Sequence, residues 1–351
     1  MMTTTKNPPA DACQQLLRFR PVFVPRVWGG DRILTELHSG ASATPPIGES
    51  WEVSDVGDDP DLHSAFRCAT SSGEEEEFTL RQLLECYPAD VLGSAIHDGT
   101  PAPRLPLLYK FLDAREHLSV QVHPSDEVVA RLGIEGAGKT EAWIVLDADP
   151  DAFVIYGYEE GVSQEDYLRL AQSGRGQEGL RRYPVQRGDI VYLPAGTVHA
   201  IGAGILLAEI QQSSDTTYRI YDWDRVGLDG QPRQLHLDES ARVPEPADAP
   251  PCPLPAAPES SPGFCDRLQG APFQIGEFRA TGSTVQLPAR EDRFAILTLF
   301  DGQVEVQQGD KSATLDAGGV LFVPAAARSG ELTVTGTGWG MCFEPNPAPA
   351  A

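Results

Sequence analysis

The chain has 351 residues, of which 41% are hydrophobic, enough to bury the core of one large domain or of two smaller ones. Its formal net charge of −24 disfavours binding to nucleic acid or to an anionic membrane, and we predict neither partner. No apolar run approaches the ~20 residues that a membrane-spanning helix requires. The six cysteines are scattered without a C-x-x-C pair, and "MMTTTKNPPADACQQ" lacks the apolar core of a signal peptide, so we expect a reducing, cytoplasmic location.

The order of elements predicts a mainly β fold with a few short helices. Glycine (34) and proline (30) are frequent and separate many short apolar runs. Residues 1–16 are expected to form a disordered tail. Helical patterns occur at 78–97, around three leucines, and at 163–184, where Ser163 is the predicted N-cap and Pro184 the predicted stop.

The chain is predicted to divide at residues 243–263, which are rich in Pro and Ala and show no periodicity, as in an extended linker. This gives one domain over 17–242 and a second all-β domain over 264–345. One phrase recurs in both: "RGDIVYLPAGTVHA" (187–200) and "AGGVLFVPAAARSG" (317–330) each contain Gly, five residues, then Pro. The recurrence predicts two copies of one small barrel.

Four polar side chains in the first domain form a candidate metal site. Gln121 and His123 are two residues apart in a predicted strand, "LSVQVHPSDE", and therefore point to one face. Glu141 begins the next apolar run, in "GKTEAWIVL", and His199 follows a Pro-Gly turn. Two imidazoles, a carboxylate and an amide suit a divalent metal, zinc first, with a position open for substrate or water. The alternative for a single strand histidine is a hydrogen-bonded core residue.

The spacing around the last of these histidines favours the metal. It matches the second cupin motif, G-x5-P-x-G-x2-H, at Gly188, Pro194, Gly196 and His199. The first cupin motif is altered, since Gln121 stands where a histidine is expected. In the C-terminal copy Ala326 and Ser329 replace the glycine and the histidine, so we expect that barrel to be metal-free.

Over roughly residues 18–240 the sequence resembles the short bacterial form of type I mannose-6-phosphate isomerase. The resemblance lies in "PLLYKFLDAREHLSVQVHPSDE", "GKTEAWIVL", "GESWEVSD" and, most specifically, "QQSSDTTYRIYDWDR". It implies two cupin-type jelly-roll barrels and one Zn²⁺ per chain. It also implies that the first domain is catalytic, an aldose–ketose isomerase that interconverts mannose 6-phosphate and fructose 6-phosphate through an enediolate. We expect a small phosphorylated sugar as the partner and a monomer or weak homodimer.

The same resemblance implies roles for individual residues. The zinc ligands are expected to be Gln121, His123, Glu141 and His199. Arg219 and Lys139 match the family's active-site arginine and the lysine beside the ligand glutamate. Positions that resemble pocket residues of the longer family members are Lys110, Ser119, Glu49 and Glu209. The longer members differ in loop lengths and carry an extra helical domain that this chain lacks.

The chemistry requires a base and a cation for phosphate. Glu209, in "ILLAEIQQ", suits the base if burial raises its pKa, and Lys139 is the alternative if it loses its proton beside the metal. Arg219 offers a planar fork for phosphate or for enediolate charge, and two lysines could share the phosphate. Alternatively, Arg219 pairs with Asp215 or Asp222 at the surface.

The sequence is less specific about two tryptophans and the remaining histidines. Trp28 and Trp51 either wall a sugar pocket or are core aromatics beside turns. The remaining histidines are assigned to surface or core packing, namely His38, His63, His97, His117 and His236. Two further functions stay open: a non-catalytic sugar-phosphate-binding cupin or regulator, and a metal-dependent oxygenase.

Overall fold

The computed structural model describes residues 6–70, 73–134, 136–247, 251–257, 262–270 and 272–347. The first strands are β1 (Val22–Gly30), β2 (Ile47–Val53), β3 (Ala65–Ala69), β4 (Glu75–Thr79), β5 (Leu107–Ala114), β6 (Val120–Val122), β7 (Glu141–Ala148), β8 (Phe153–Tyr158), β9 (Leu180–Pro184) and β10 (Ile190–Leu193). The others are β11 (His199–Ile201), β12 (Ile205–Gln212), β13 (Tyr218–Tyr221), β14 (Gly263–Gln269), β15 (Phe273–Leu287), β16 (Ala295–Gln308), β17 (Lys311–Asp316), β18 (Val320–Val323) and β19 (Leu332–Pro345).

The helices are few and short, which confirms the predicted mainly β class. They are α1 (Leu80–Cys86), α2 (Pro88–Leu92), α3 (Asp126–Leu132), α4 (Gln164–Gln172) and α5 (Leu237–Ser240). Single 3₁₀ turns occupy Ala10–Gln14, Pro60–Leu62 and Ala325–Ala327, and a π turn occupies Ile33–Leu37. Among the described residues, none of these helices has the length and apolar composition that a membrane crossing needs.

The chain forms two compact units. The first comprises the described residues of 1–22, 52–107 and 258–351, and the second those of 23–51 and 108–257. These units cut across the predicted domains 17–242 and 264–345, because residues 52–107 group with the C-terminal segment. The helical pattern predicted within 78–97 is present as α1 and α2, and it lies in the first unit.

The second unit is built from two sheets that share a core. One has the strand order β1-β2-β5-β12-β7-β10 and the other β13-β6-β11-β8-β9. Side chains alternate along each strand, so Val154 and Tyr156 of β8 join the hydrophobic cluster that contains Trp143 and Leu207 of the six-stranded sheet, while Ile155 belongs to the cluster on the opposite side. Burying one such large side chain contributes roughly 1.5–3 kcal/mol, and the shared core therefore fixes the two sheets face to face.

Helix α4 covers the outer face of the five-stranded sheet. It begins as predicted, with the Ser163 hydroxyl accepting a hydrogen bond from Asp166 N at 3.1 Å. The prediction of a helix as far as residue 184 is wrong, because α4 ends at Gln172 and β9 follows. Gly174 (φ 77°) and Gly179 (φ 72°) adopt left-handed backbone conformations that break the helix.

The N-cap of α4 gives a first testable expectation. Ser163→Ala leaves a backbone N–H of the first turn without its side-chain acceptor and should lower the free energy of unfolding by about 1 kcal/mol. Urea denaturation followed by circular dichroism measures this loss. Ser173→Ala at the other end of the helix, where the hydroxyl donates to Leu170 O at 2.8 Å, is the matched control with a smaller effect. Equal losses in both variants would contradict a cap-specific role.

The first unit is centred on the long strands β15, β16 and β19. Its main sheet has the order β14-β15-β19-β16-β17, with β18 also pairing to β16. The repeated phrase folds the same way in both units. β10 and β18 each begin two residues after a glycine with positive φ, Gly188 (88°) and Gly318 (79°), and each ends just before a proline. The substituted Ala326 lies in a 3₁₀ turn.

The predicted tail and linker contain ordered, packed residues. Ala12 and Cys13 lie in a 3₁₀ turn and are buried, so the expectation of disorder fails for this part of 1–16. In the predicted linker, Leu254 exchanges two backbone hydrogen bonds with Ile190, at 2.8 and 2.9 Å, and Val243 is buried. This part of the segment therefore packs on β10. Residues 1–5, 248–250 and 258–261 lie outside the described residues.

Candidate active site

Register in the five-stranded sheet gathers three of the predicted residues on one face. Gln121 in β6 pairs with His199 of β11 on one side and with Arg219 of β13 on the other. Because cross-strand partners share a face, these three side chains point inward together. Their neighbours Val120 and Val122 point outward into the cluster beneath α4.

Register in the six-stranded sheet supplies the acidic side of the site. Glu141 at the start of β7 pairs with Gln211 of β12, and Trp143 pairs with Glu209. Residues two apart on one strand share a face, so Glu141, Glu209 and Gln211 all point toward the other sheet. The buried Lys110 of β5, whose ammonium lies 3.2 Å from Glu209 Oε1, approaches the same point.

A tight turn delivers His199 to this point. Gly196 has φ 94°, a conformation that non-glycine residues rarely adopt, and a Cβ there would lie 2.3 Å from Pro244 O. Its N–H donates to His123 O at 2.8 Å, which ties the turn to the second histidine. The glycine of the motif is therefore required for backbone geometry and close approach.

His123, Glu141 and His199 form one metal-binding group. Their donor atoms all lie within 4.8 Å of one another, and all three side chains are buried. Glu141 Oε1 is 3.3 Å from His199 Nε2, and Oε2 is 3.6 Å from His123 Nε2. Ligands bound to tetrahedral zinc at ~2.0–2.2 Å lie about 3.3–3.6 Å apart, so both glutamate–histidine separations, each from a different carboxylate oxygen, lie in the range that zinc requires.

The hydrogen bonds of the two imidazoles select the tautomer that a metal requires. His123 Nδ1 lies 3.0 Å from Thr216 O, and His199 Nδ1 lies 2.8 Å from Thr197 O. A carbonyl oxygen only accepts, so each Nδ1 carries the proton and each Nε2 keeps its lone pair. Burial lowers the pKa of both histidines, which favours this neutral form.

The Gln121 amide is the neutral fourth group. Its Nε2 lies 3.2 Å from His199 Nε2, at the edge of the metal-binding group. Turning the amide by 180° exchanges nitrogen and oxygen and directs an oxygen at the same point. The residue is only partly buried, consistent with a position at the opening of the group.

Two lysines and two glutamates surround the metal-binding group. Lys139 Nζ lies 2.7 Å from Glu141 Oε2 and 3.7 Å from Glu209 Oε1, and Lys110 Nζ contacts Glu209 and, at 3.5 Å, Glu49. Burial and the charge of Glu141 raise the pKa of Glu209 despite both lysines. Burial opposes ionisation of Glu49 as well, but Lys110 and Arg26 outweigh it and lower its pKa.

All the predicted pocket residues line one cavity of about 610 Å³ beside this group. They are Glu49, Lys110, Ser119, Gln121, Lys139, Glu209 and Arg219. Trp28 and Trp51 line the same cavity and are buried, so they are both core aromatics and cavity walls. Trp51 Nε1 donates to Glu49 Oε2 at 2.8 Å, which holds that carboxylate against the wall.

Arg219 faces the cavity and is not held in the surface ion pair that the sequence left open. Its guanidinium donates to Gln234 O at 2.8 Å, and burial lowers its pKa. Asp222, one of the two acidic partners considered, instead accepts hydrogen bonds from Arg225 and Arg233. His236, for which the sequence predicts surface or core packing, accepts a hydrogen bond from Arg219 N at 3.1 Å and so helps to fix the strand of Arg219.

Sequence reasoning missed two further cations of the cavity, Arg26 and Arg233. Arg26 was detectable, because it lies two residues before Trp28 and therefore shares its face in a strand. Arg233 lies in the loop after β13, where no periodicity assigns a direction to a side chain. Both add positive charge to the cavity of a strongly acidic chain.

The fold and the site define a mainly β protein of the cupin class with a two-histidine, one-carboxylate metal-binding group. Residues 16–149 match the family model "Phosphomannose isomerase type I, catalytic domain". Mannose-6-phosphate isomerase ManA of Bacillus subtilis is 34% identical over 88% of this chain and 92% of its own length. A mannose-6-phosphate isomerase of Streptococcus mutans is 33% identical, over 87% and 90%.

Solved structures agree with this assignment. The crystal structure of the Bacillus subtilis mannose 6-phosphate isomerase superposes with a TM-score of 0.78 at 29% identity, covering 94% of this chain and 99% of that one. The chain belongs to the type I mannose-6-phosphate isomerase family.

Proposed function

We propose that this protein is a zinc-dependent isomerase that interconverts mannose 6-phosphate and fructose 6-phosphate. The single observation that carries the proposal is the convergence of His123, Glu141 and His199 next to a cavity lined by Gln121 and buried Glu209, in a chain of this family. A non-catalytic binder would not need the buried carboxyl group of Glu209 beside the metal-binding group. Two histidines and one carboxylate also occur in oxygenases, but the fourth group Gln121, with Lys139 and Arg219 in the same cavity, favours a phosphorylated sugar.

His123, Glu141, His199 and Gln121 would hold the zinc. When bound, the metal supplies a Lewis acid that stabilises negative charge on the oxygens of C1 and C2. The carboxylate gives one negative charge and the imidazoles none, so the site stays net positive toward substrate. The backbone carbonyls of Thr197 and Thr216 keep both imidazoles in the metal-binding orientation.

Glu209 is the proposed general base. It removes the proton from C2 and returns it to C1, while the hydroxyl proton moves from O2 to O1, so no other reactant is consumed. Its raised pKa suits a group that must both accept and release a proton. Lys139, the alternative base, forms an ion pair with Glu141 at 2.7 Å and in that state has no lone pair to accept a proton.

The arginines that line the cavity are the proposed phosphate site. Arg219 is flanked by Arg26 and Arg233, and the charges of both act to lower its pKa. Arg26 and Arg233 are paired with Glu49 and Asp222, whereas the guanidinium of Arg219 donates to the backbone oxygen of Gln234. Arg219 is therefore the proposed phosphate ligand, and the other two arginines add positive potential around it. Ser119 is buried, lines the same cavity and offers a hydroxyl donor.

Arg219→Ala tests this part of the site. The variant should stay folded with zinc bound, because Arg219 contacts no proposed metal ligand other than its strand neighbour Gln121. Its kcat/KM on mannose 6-phosphate should fall by at least ~10²-fold, as on removal of a preorganised charge contact. Arg182→Ala is the matched control, since that exposed arginine stacks on Phe153 at 4.7 Å and should leave turnover within about 3-fold. Wild-type kinetics in Arg219→Ala would contradict the role.

The proposed function itself is tested by metal analysis and one assay. Elemental analysis of the purified protein should find about one zinc per chain, and a coupled assay should detect fructose 6-phosphate formed from mannose 6-phosphate. Absence of turnover with zinc bound would instead indicate the non-catalytic sugar-phosphate-binding protein or regulator. Iron with oxygen consumption would indicate the oxygenase.

The setting of the enzyme follows from its composition. All six cysteines are free, which supports the proposed reducing, cytoplasmic location. A small phosphorylated sugar is the proposed partner, and a monomer or weak homodimer remains our prediction for the assembly.

A further inference from the structure

Gln211 is a buried side chain of the cavity to which nothing above assigns a role. It has no exposed surface and lies on β12 two residues after Glu209, opposite Glu141. Its Nε2 donates to Gln212 O at 2.8 Å and to Ser214 O at 2.7 Å. Both acceptors are carbonyl oxygens, which cannot donate, so nitrogen and oxygen of this amide are not interchangeable.

The Oε1 atom of Gln211 is left without a donor. It is buried and no donor among the described residues reaches it, although most buried acceptors in proteins are paired. Gln211 lines the cavity on the inward face that it shares with Glu209. An acceptor fixed in this way is preorganised for a donor that enters with a ligand.

The nearby cations are already paired with carboxylates. Lys110 contacts Glu49 and Glu209, and Lys139 contacts Glu141. The oxygens of C1 and C2 are expected at the metal-binding group and the phosphate at the arginines. The donors left over on a bound sugar phosphate are the secondary hydroxyls of its middle carbons.

We propose that Gln211 Oε1 accepts a hydrogen bond from the C3 or C4 hydroxyl of the sugar phosphate, which makes Gln211 a specificity-determining residue. The inference rests on the proposed isomerase function and deepens it. It assigns a polyhydroxylated sugar chain, beyond the phosphate and the reacting carbons, as a feature that this site recognises.

The test pairs a change in the protein with a change in the substrate. Wild type and Gln211→Met are assayed on mannose 6-phosphate and on its 3-deoxy and 4-deoxy analogues. For wild type, kcat/KM on one of the two analogues should be about 10- to 100-fold lower than on mannose 6-phosphate. On mannose 6-phosphate, Gln211→Met should have a kcat/KM lower than that of wild type by a similar factor. On that analogue, kcat/KM of Gln211→Met should be less than about 3-fold below its own value on mannose 6-phosphate, because the partner of the missing hydroxyl is already gone.

Gln212→Met is the matched control. It makes the same chemical change one residue further along, where the side chain accepts from Thr140 N and donates to Asp126, both at 2.8 Å, and does not line the cavity. It should keep the wild-type discrimination between mannose 6-phosphate and both analogues. Zinc content and Tm are measured for each variant, and Gln211→Asn, which retracts the carbonyl, replaces Gln211→Met if the latter does not fold.

Two results overturn the inference. In one, wild type turns over both deoxy analogues as well as mannose 6-phosphate. In the other, the folded Gln211 variant keeps the full wild-type discrimination, which would mean that the amide only anchors the backbone of its own loop. Failure of wild type on mannose 6-phosphate itself would instead overturn the proposed function, so the two failures are distinguishable.

Discussion

Replacing His199 with alanine is expected to abolish both zinc binding and isomerase activity. The substitution removes one of two imidazole donors from a buried group whose remaining side chains are Glu141 and His123. Zinc should fall from about one per chain to a small fraction by elemental analysis. Activity should fall at least ~10³-fold, because the stabilisation that a metal gives to developing charge amounts to several kcal/mol and each 1.36 kcal/mol is tenfold in rate.

His97→Ala is the control for this experiment. His97 lies in the first unit, which contains none of the proposed ligands, and its loss should leave zinc content unchanged and turnover within about 3-fold. When zinc is titrated into His199→Ala, its affinity for the metal should stay below that of wild type. Full turnover in His199→Ala, or a full complement of tightly bound zinc, would show that the group is not the catalytic metal site.

The two-residue periodicity of a strand was sufficient to predict which polar residues of one strand share a face. Gln121 and His123 were predicted to share a face from their spacing of two, and His123 belongs to the metal-binding group while Gln121 contacts it. Periodicity does not reveal which strands become neighbours. The pairing of Gln121 with both His199 and Arg219 depends on register between distant segments. The motif spacing around His199 and the family resemblance indicated that these residues share a site, but neither indicated the register.

The misjudged elements have identifiable physical causes. Residues 163–184 carry helix-forming side chains at both ends, but glycines at 174, 176 and 179 release the chain into β9. Residues 52–107 precede the core strands without a break in composition, yet they form part of a different compact unit. A Pro-rich composition predicts an extended linker, but it does not show whether the segment packs on the rest of the chain. Here the segment packs on β10 through Leu254.

The net charge of the chain likewise does not predict which cationic side chains line the cavity. In a chain with a net charge of −24, a site for an anion requires a local cluster of cations. The structure places five cationic side chains around the cavity: Arg26, Lys110, Lys139, Arg219 and Arg233. Three of these were named from the sequence. Arg233 is directed by two hydrogen-bonded contacts to Asp222, eleven residues away, and such a contact in a loop has no sequence signature.

Glu209→Gln is expected to cause the second large loss of isomerase activity. The amide preserves shape but cannot accept a proton, so kcat should fall by about 10²- to 10⁴-fold with zinc retained and KM little changed. The wild-type pH profile gives a second readout. The base works only as the carboxylate, and burial raises its pKa above the ~4.3 of an exposed glutamate, so activity should fall as pH decreases through that raised pKa. This acidic limb should be absent from the residual activity of Glu209→Gln.

Lys139→Met decides between the two candidate bases. If Glu209 is the base, removing the ammonium 3.7 Å from its carboxyl group takes away a charge that favours ionisation. The acidic limb should then move to higher pH while substantial turnover remains above it. If Lys139 is the base, its loss should remove the limb itself and reduce kcat as far as Glu209→Gln does. An unshifted limb in Lys139→Met together with wild-type kcat in Glu209→Gln would eliminate Glu209, because neither the group nor its electrostatic neighbour would then affect the proton transfer.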